Sequence, residues 1–276
     1  MLKPVSQQSL DTARGQWLIF SRDKLVVRQN QRQLPQGGFD DIDCLRAYHA
    51  DVYELKDLQG DSLPQSTFIV DMGAEEPEGE HWELASLRHM LMQAPDTAFA
   101  VAGRAWQYVH FFRTHRYCGQ CGDRTQRVDW EMAVQCQRCQ HRSYPRVSPC
   151  IIVAVHDGER LLLARGVRHR ELNMYSTLAG FVESGESLEQ AVHREIFEEV
   201  GVSVTDLEYF GSQPWPFPHS LMVGYIARYA GGDIVPEEGE IDDAQWFWPD
   251  ALPKTPPTLS IAGQLIAATV KKIQGK

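Results

Sequence analysis

Residues 180–202 read GFVESGESLEQAVHREIFEEVGV, and this stretch decides the fold of the second half of the 276-residue chain. Ser187 and Gln190 have the spacing of a capping box, so a helix is predicted to begin directly after Ser187. Gly201 suits the left-handed residue that commonly ends a helix, because it has no side chain to clash. The sequence therefore predicts one well-delimited helix between Ser187 and Gly201.

The phase of this helix places carboxylates on its inward side. At about 100° per residue, Leu188 and Val192 define an apolar stripe that continues into Glu195 and Glu199, with Glu198 at its edge. An acidic solvated face is the ordinary explanation for such a run, but this phase is against it. Inward carboxylates repel one another and resist desolvation unless cations neutralise them, and Mg²⁺ or Mn²⁺ take such oxygen ligands. The positions predicted to face solvent are Glu189, Gln190, His193 and Phe197.

Four of the six cysteines form two C-x2-C pairs separated by fourteen residues: Cys118, Cys121, Cys136 and Cys139. Two such pairs supply the four thiolates of a tetrahedral zinc site, with no position left open for catalysis. Two disulfides would need an oxidising compartment, and a redox motif would need a single pair beside a βαβ unit. The quartet predicts one structural Zn²⁺ per chain, while Cys44 and Cys150 are interpreted as reduced structural residues.

Composition and charge narrow the class of protein. Hydrophobic residues make up 43% of the chain, which suits ordinary globular cores. The net charge of −10 argues against a protein that grips nucleic acid along its phosphates, although it allows an enzyme that takes only the end of an RNA into a pocket. The N-terminal residues MLKPVSQQSL resemble no secretory signal, and the apolar runs are too short to span a bilayer, so we expect a cytoplasmic protein without membrane association.

Three zones are predicted along the chain: an N-terminal scaffold or dimerisation domain (1–113), a zinc ribbon (114–146) and a catalytic domain (147–276). Strands mixed with helices in the third zone predict an α/β or α+β sandwich. Its predicted strands are Cys150–Val155, Arg160–Ala164 and Leu221–Tyr229, and a closing helix is predicted near Leu259–Lys272. In the first zone, apolar residues at helical spacing predict a helix over His81–Gln93.

The stretch 180–202 resembles the Nudix box, G-x5-E-x7-R-E-U-x-E-E-x-G-U with U aliphatic, at every defined position. The resemblance implies an α/β/α sandwich with a mixed sheet, and hydrolysis of a nucleoside diphosphate linked to another group. It also implies that Arg194 orients the glutamates by charge-assisted pairs. For Glu240, a solvated loop charge remains the alternative. The Mg²⁺ or Mn²⁺ ligands that it implies are Ala179, Glu195, Glu198, Glu199 and Glu240.

A second motif lies downstream, where residues 212–220 read SQPWPFPHS. Alternating prolines and aromatic residues predict a stiff, extended loop that presents flat faces to a base, although a rigid core connection fits the composition equally well. The string is similar to the SQPWPFPxS array of the NADH pyrophosphatases within the Nudix superfamily, which also carry a four-cysteine ribbon before the Nudix domain. The substrate-binding residues that the resemblance implies are Gln213, Pro214, Trp215, Pro216, Phe217, Pro218, His219, Ser220, Tyr144, Phe181, Lys24, Arg88, Glu131 and Ala262.

This resemblance implies a homodimeric enzyme that cleaves NAD(H) to NMN(H) and AMP. It further implies removal of an NAD cap from RNA 5′ ends, which would leave a 5′ monophosphate. A Nudix hydrolase for ADP-ribose or diadenosine polyphosphates is the nearer alternative, and the SQPWPFPHS array speaks against it. A non-catalytic zinc-ribbon adaptor is the alternative from another class, and the intact box speaks against that.

Overall fold

A computed structural model describes residues 2–29, 33–45, 51–55, 66–91 and 96–275. The chain divides into two compact units, one formed by Met1–Arg146 with Pro216–Pro218, and the other by Val147–Trp215 with His219–Lys276. The boundaries 1–113, 114–146 and 147–276 drawn from the sequence remain a proposal. No helix within the described ranges is long and apolar enough to cross a membrane.

The first unit contains a seven-stranded sheet in its described part, with strand order β1-β5-β6-β2-β3-β7 and β4 beside β2. Trp17 and Ile19 alternate along β2 and pack in one core with Val26 and Val70, as expected for strands with one face toward a core. The elements are β1 Leu2–Pro4, α1 Gln7–Leu10, β2 Arg14–Ser21, β3 Lys24–Arg28, β4 Gln36–Gly38, β5 Val52–Leu55, β6 Thr67–Asp71, β7 Trp82–Ser86, α2 Leu87–Leu91 and α3 Asp96–Thr114.

The helix predicted over His81–Gln93 is wrong in its first half. Residues 82–86 form strand β7, which pairs antiparallel with β3, and only Leu87–Leu91 is helical. Trp82 and Leu84 are two residues apart and both pack on the core, so period two explains them as well as the helical period does. Hydrogen-bonded pairing with β3, which no local pattern reveals, makes this segment a strand and not a helix. Gln93 lies outside the described residues.

A small three-stranded sheet follows α3 in the same unit, in the order β10-β9-β8. It carries Cys118, Cys121 and Cys139 in the turns around its strands and Cys136 at the end of β9, as a zinc ribbon does. Its strands are β8 Thr125–Arg127, β9 Val134–Cys136 and β10 Arg142–Ser143.

The second unit is built on a six-stranded sheet, in the order β14-β15-β11-β12-β16 with β13 beside β11. The β11–β15 pair is parallel and the other pairs are antiparallel, so the sheet is mixed, as expected. The elements are β11 Ser148–His156, β12 Leu161–Gly166, β13 Leu178–Phe181, α4 Leu188–Val200, β14 Ser203–Trp215, β15 Ser220–Gly231, β16 Ile241–Phe247 and α5 Ile261–Ile273.

Strand β11 is buried on both faces, which explains its continuous apolar sequence. Ile151 belongs to the core that includes Val192 of α4, whereas the next residue, Ile152, belongs to the core that includes Leu265 of α5. The sheet is therefore covered by one helix on each face, and the predicted α/β/α sandwich is confirmed. The three strands and the closing helix predicted for this zone are also confirmed.

Candidate active site and zinc centre

Helix α4 begins and ends where the sequence predicts. The Ser187 hydroxyl accepts a hydrogen bond from the Gln190 amide at 3.2 Å, and the Gln190 side chain accepts one from the Ser187 amide at 2.8 Å. Gly201 ends the helix with φ 76°. The phase is also confirmed, because the Glu199 side chain is buried at 5% exposure whereas Phe197 is 61% exposed.

Arg194 ties the loop before the helix to the acidic face. Its Nε and Nη2 atoms donate to the two Glu186 oxygens at 2.8 Å each, and Nη1 donates to Glu195 at 2.8 Å and to Glu198 at 2.9 Å. Nη2 also donates to the Phe181 carbonyl at 2.9 Å. The paired guanidinium lowers the pKa of Glu186 to about 2. Glu186 is a positioning residue that the sequence interpretation missed, although it is the glutamate of the G-x5-E part of the box.

Glu199 lies in an environment that disfavours its charge. Burial, with a smaller contribution from the charges of Glu195, Glu240 and Glu237, raises the pKa of Glu199 to about 8, and one backbone hydrogen bond from Ala179 acts in the opposite direction. Its Oε2 atom is buried and has no hydrogen-bond partner among the described residues. A buried carboxylate oxygen without a donor is rare in folded proteins, so it points to a ligand that supplies positive charge.

These residues fit a divalent cation. Glu240, directly before β16, is close enough to raise the pKa of both Glu195 and Glu199, so carboxylates from two elements converge. Burial is the largest cause of the raised pKa of Glu195, and Arg194 opposes it. Within the described ranges, no three of these glutamates have oxygens all within 4.8 Å of one another. Carboxylate oxygens suit a hard divalent cation that completes its coordination with water.

The floor of the carboxylate cluster is made of small residues. A Cβ atom on Gly180 would lie 1.9 Å from Cδ of Glu195, so only glycine lets the helix approach β13 at this point. Cys150, paired with Phe181 across the sheet, is buried and free. Burial raises the pKa of Cys150 to about 12, with Glu195 and Glu199 adding to the effect, so its thiol stays protonated beside the cluster.

The four ribbon cysteines form the zinc centre. All four sulfur atoms lie within 4.8 Å of one another, and the pairs Cys118–Cys139 and Cys121–Cys136 are 3.6 and 3.5 Å apart. These distances are far longer than a disulfide bond and close to the ~3.8 Å edge of a tetrahedron with Zn–S bonds of ~2.3 Å. Backbone amides of Gln120 and Cys139 donate to Cys118 and Cys136, which stabilises the thiolate form.

Cys136→Ser is expected to release about one zinc per chain and to destabilise the ribbon, since a sheet this small depends on its metal for folding free energy. The measurement is zinc content by metal analysis, together with thermal unfolding. Cys44→Ala is the matched control, because Cys44 is a buried cysteine of the same unit outside the quartet, and its zinc content should be unchanged. Purified wild type without zinc would contradict the site.

The families that match this chain agree with the geometry of the two sites. The NUDIX domain family matches residues 145–268, and the NADH pyrophosphatase zinc ribbon domain family matches residues 113–144. The NAD-capped RNA hydrolase NudC of Haemophilus influenzae strain PittGG is 44% identical over 260 residues, which is 93% of both chains. The chain belongs to the NudC family of Nudix hydrolases. It is an enzyme of the pyrophosphatase type.

Two further comparisons agree with this assignment. The NAD-capped RNA hydrolase NudC of Pectobacterium atrosepticum is 49% identical over 193 residues, which cover 70% of this chain and 74% of that protein. The crystal structure of a NUDIX hydrolase from Nitrosomonas europaea aligns with a TM-score of 0.50 at 20% identity, over 58% of this chain and 94% of that one. The latter likeness concerns the Nudix fold alone.

The SQPWPFPHS array of this Nudix enzyme is a hairpin and not the extended loop expected from its prolines. Residues up to Trp215 belong to β14, Trp215 pairs with Ser220 at the start of β15, and the intervening residues form the turn. Pairing of the two flanking strands overrides the preference of the prolines for an open, extended chain. Three of the four turn residues, Pro216–Pro218, belong to the first unit, with a cis bond between Phe217 and Pro218.

Two polar residues of the array are engaged within the second unit. The Gln213 side chain donates to the Leu259 carbonyl at 2.9 Å and accepts from the Ile261 amide at 2.8 Å, so both ends of its amide hold the start of α5. The imidazole of His219 lies 3.1 Å from the Ser148 hydroxyl. Ser220 is buried in the sheet, Pro214 pairs with Leu221, and Ala262 is buried in the first turn of α5.

The first unit brings two predicted substrate residues, Arg88 and Phe217, into contact, and Lys24 lies on the strand beside the one that precedes Arg88. Lys24 pairs with Ser86 across β3 and β7, and Arg88 follows two residues later in α2. The Arg88 guanidinium lies 5.5 Å from the ring centre of Phe217, and a cavity of about 210 Å³ opens beside it. This juxtaposition is not visible in the sequence, where Lys24, Arg88 and Phe217 are far apart. Its lining is Asp23, Ser86, Leu87, Arg88, Trp106, Pro216, Phe217 and Pro218.

Tyr144 and Glu131 lie together on the ribbon. Arg142 donates to the Glu131 carboxylate at 2.6 Å, and the Tyr144 hydroxyl donates to the same oxygen at 3.4 Å. The Tyr144 ring is 51% exposed, and Phe181 in the second unit is 57% exposed. Each of these two predicted substrate residues therefore presents an exposed aromatic surface within its own unit.

Proposed function

We propose that the chain uses water to cleave the pyrophosphate bond of NAD(H), releasing NMN(H) and AMP, and removes the NAD cap from RNA 5′ ends to leave a 5′ monophosphate. The observation that carries the proposal is the buried carboxylate of Glu199, whose Oε2 atom has no hydrogen-bond partner among the described residues, beside other glutamates on a complete Nudix helix. The 44% identity to a NAD-capped RNA hydrolase over 93% of the chain supplies the substrate class.

The proposed ligands of the catalytic Mg²⁺ or Mn²⁺ are the carboxylates of Glu195, Glu198, Glu199 and Glu240 and the carbonyl of Ala179. When bound, the cation would neutralise the pyrophosphate and make a water easier to deprotonate. Arg194 keeps Glu195 and Glu198 in place through direct hydrogen bonds.

The proposed substrate contacts use exposed rings and cationic side chains. Phe181 and Tyr144 offer flat faces on which a nicotinamide or adenine ring can stack. Lys24 and Arg88 carry positive charge suited to phosphate, and Phe217 lies against Arg88. The proposed role of Gln213 is to hold the hairpin in place, because its side-chain amide is already hydrogen-bonded to the start of α5.

We further propose that the enzyme works as a homodimer in the cytoplasm. The resemblance to the NADH pyrophosphatases supports the dimer. A site of four thiolates supports a reducing compartment, since oxidation to disulfides would destroy it.

Incubation with NADH, ADP-ribose and NAD-capped RNA, with and without Mn²⁺, tests the proposed function. We expect NMNH and AMP from NADH, 5′-monophosphate RNA from the capped RNA, no turnover in EDTA and slower cleavage of ADP-ribose. Faster cleavage of ADP-ribose than of both NAD-containing substrates would favour the alternative Nudix activity. No cleavage of any of the three would favour the adaptor.

Glu198→Gln is expected to leave substrate binding within roughly tenfold and to lower turnover by on the order of a hundredfold or more, because its charge acts mainly in the transition state. Steady-state kinetics with NADH provide the measurement. Glu189→Gln is the matched control, since Glu189 is an exposed glutamate on the outer face of the same helix. A change in turnover below about threefold for Glu198→Gln would show that Glu198 is not part of the catalytic site.

A further inference from the structure

An arginine-rich segment links α3 to the ribbon. Residues 113–127 read RTHRYCGQCGDRTQR and contain four arginines against one aspartate, a net charge of +3 in a chain whose total is −10. No part of the proposed catalytic or zinc chemistry uses these arginines. The four are Arg113, Arg116, Arg124 and Arg127.

The structure gathers this segment around two cavities of about 400 and 290 Å³. Phe112, Arg116 and Arg127 line both cavities, so they form one continuous surface, which we call the arginine–aromatic surface. Tyr53 lines the first cavity, and Tyr117 with Arg124 lines the second. All of these residues belong to the first unit.

Arginine and aromatic side chains alternate on this surface. The Arg127 guanidinium lies 3.8 Å from the ring centre of Tyr53 and 4.0 Å from that of Phe112, so it is held between two rings. Arg124 lies 5.9 Å from the ring centre of Tyr117, which is 60% exposed. Contacts of this kind hold a planar cation and a ring beside one another.

The charges of this surface are largely uncompensated. Arg113 is neutralised by Asp71, and Asp51 accepts a hydrogen bond from the Tyr53 hydroxyl at 2.8 Å. In the part of the chain that the structure describes, no carboxylate forms an ion pair with Arg116, Arg124 or Arg127. Arg116 and Arg124 are exposed. Unpaired arginines beside free rings match the alternating phosphates and bases of single-stranded nucleic acid.

We propose that the arginine–aromatic surface binds the single-stranded RNA chain of a capped substrate. Arg116 and Arg124 take backbone phosphates, and the exposed ring of Tyr117 stacks on a base. The inference rests on the proposed function, which supplies the RNA. The proposal is compatible with the net charge of −10, because negative surface elsewhere would confine a polyanion to this cationic surface.

The test is a double substitution, Arg116→Gln with Arg124→Gln, in the full-length zinc-containing protein. Binding of a fluorescein-labelled 5′-monophosphate RNA of about twelve nucleotides is followed by anisotropy in EDTA, so that hydrolysis plays no part. We expect the dissociation constant to rise about tenfold or more. The slope of log K against log salt should fall by about 1.4, or ~0.7 for each lost phosphate contact. The KM for NAD-capped RNA should rise, while kcat/KM for NADH stays unchanged.

Two comparisons make the result specific. Arg14→Gln removes a highly exposed arginine of the same unit, outside both cavities, and should bind RNA like wild type. Arg116→Lys with Arg124→Lys keeps the charges and should recover most of the binding.

Unchanged RNA affinity in the glutamine variant, or an equal loss of kcat/KM with NADH, would overturn the proposal. Displacement of the RNA by AMP at equal nucleotide concentration would also overturn it, by showing a mononucleotide site. If wild type cleaves neither NADH nor NAD-capped RNA but binds RNA through these arginines, the proposed function is wrong and the proposed RNA-binding surface is supported.

Discussion

Glu199→Gln is expected to abolish hydrolysis and, in EDTA above pH 8, to raise the melting temperature by several degrees. The glutamate is buried among Glu195, Glu237 and Glu240, and its ionisation in the folded state is costly. A neutral amide removes that cost, and its NH₂ group can donate to the neighbouring carboxylates. Active-site charges commonly reduce stability in this way, so their removal stabilises the fold.

The pH dependence gives this prediction its sign. The pKa of Glu199 is about 8 in the folded protein against an ordinary value of 4.5, so the folded state binds the proton more tightly. The stabilisation is present in full below pH 4.5 and is lost progressively as the pH rises from 4.5 through 8, by about 5 kcal/mol. In EDTA the melting temperatures of wild type and Glu199→Gln should therefore be similar near pH 4.5 and separate progressively as the pH rises toward 9.

Metal binding provides the second readout for Glu199. Saturating Mg²⁺ or Mn²⁺ should stabilise wild type by about 2.7 kcal/mol at one hundred times the dissociation constant, and the variant much less. Glu189→Gln, on the exposed face of α4, should keep both the metal-induced shift and the hydrolysis. A lower melting temperature of Glu199→Gln in EDTA at pH 9, or an intact metal-induced shift, would show that Glu199 is an ordinary structural residue.

Arg194→Lys is expected to lower NADH turnover by on the order of a hundredfold and to destabilise the second unit by about 2 kcal/mol. One guanidinium contacts Glu186, Glu195, Glu198 and the Phe181 carbonyl, and a lysine ammonium cannot span these acceptors. The glutamates left behind would repel one another. Partial exposure of Arg194 keeps the stability effect below that of a fully buried pair.

Thermal unfolding and NADH kinetics measure the Arg194→Lys effect. Arg160→Lys is the matched control, because Arg160 also pairs with a carboxylate, Asp157, in a hairpin of the same unit. Arg160→Lys should lose little thermal stability and little NADH turnover. Wild-type turnover in Arg194→Lys would mean that positive charge alone suffices, and that the geometry of the guanidinium does not position the glutamates.

Local patterns in the sequence were enough for helix α4 and the zinc centre. The capping box, the terminal glycine and the inward phase of Glu199 each depend on residues within one or two turns. The cysteine quartet follows from spacing in the same way, because each C-x2-C pair is made by one tight turn. Resemblance to the Nudix box added the α/β/α arrangement of the sheet.

Long-range strand pairing explains the predictions that failed. Trp82–Ser86 became a strand because β3 was available beside it, and the proline-rich array became a hairpin because the strands around it pair. Neither event changes the local periodicity, so the sequence alone could not separate the alternatives. The apolar spacing of a short segment fits two periods until a partner selects one.

The sequence by itself determined which residues carry charge and metal-binding chemistry, and on which face of one helix the glutamates lie. Tertiary structure alone decided that Glu240 approaches Glu199, that Arg194 bonds Glu186, and that Arg127 lies between Tyr53 and Phe112. The physical reason is the range of the forces involved. Helix caps and the C-x2-C turns that bind zinc are fixed by neighbours in the chain. The pKa values and ion pairs depend instead on groups that burial of the core brings together from distant segments.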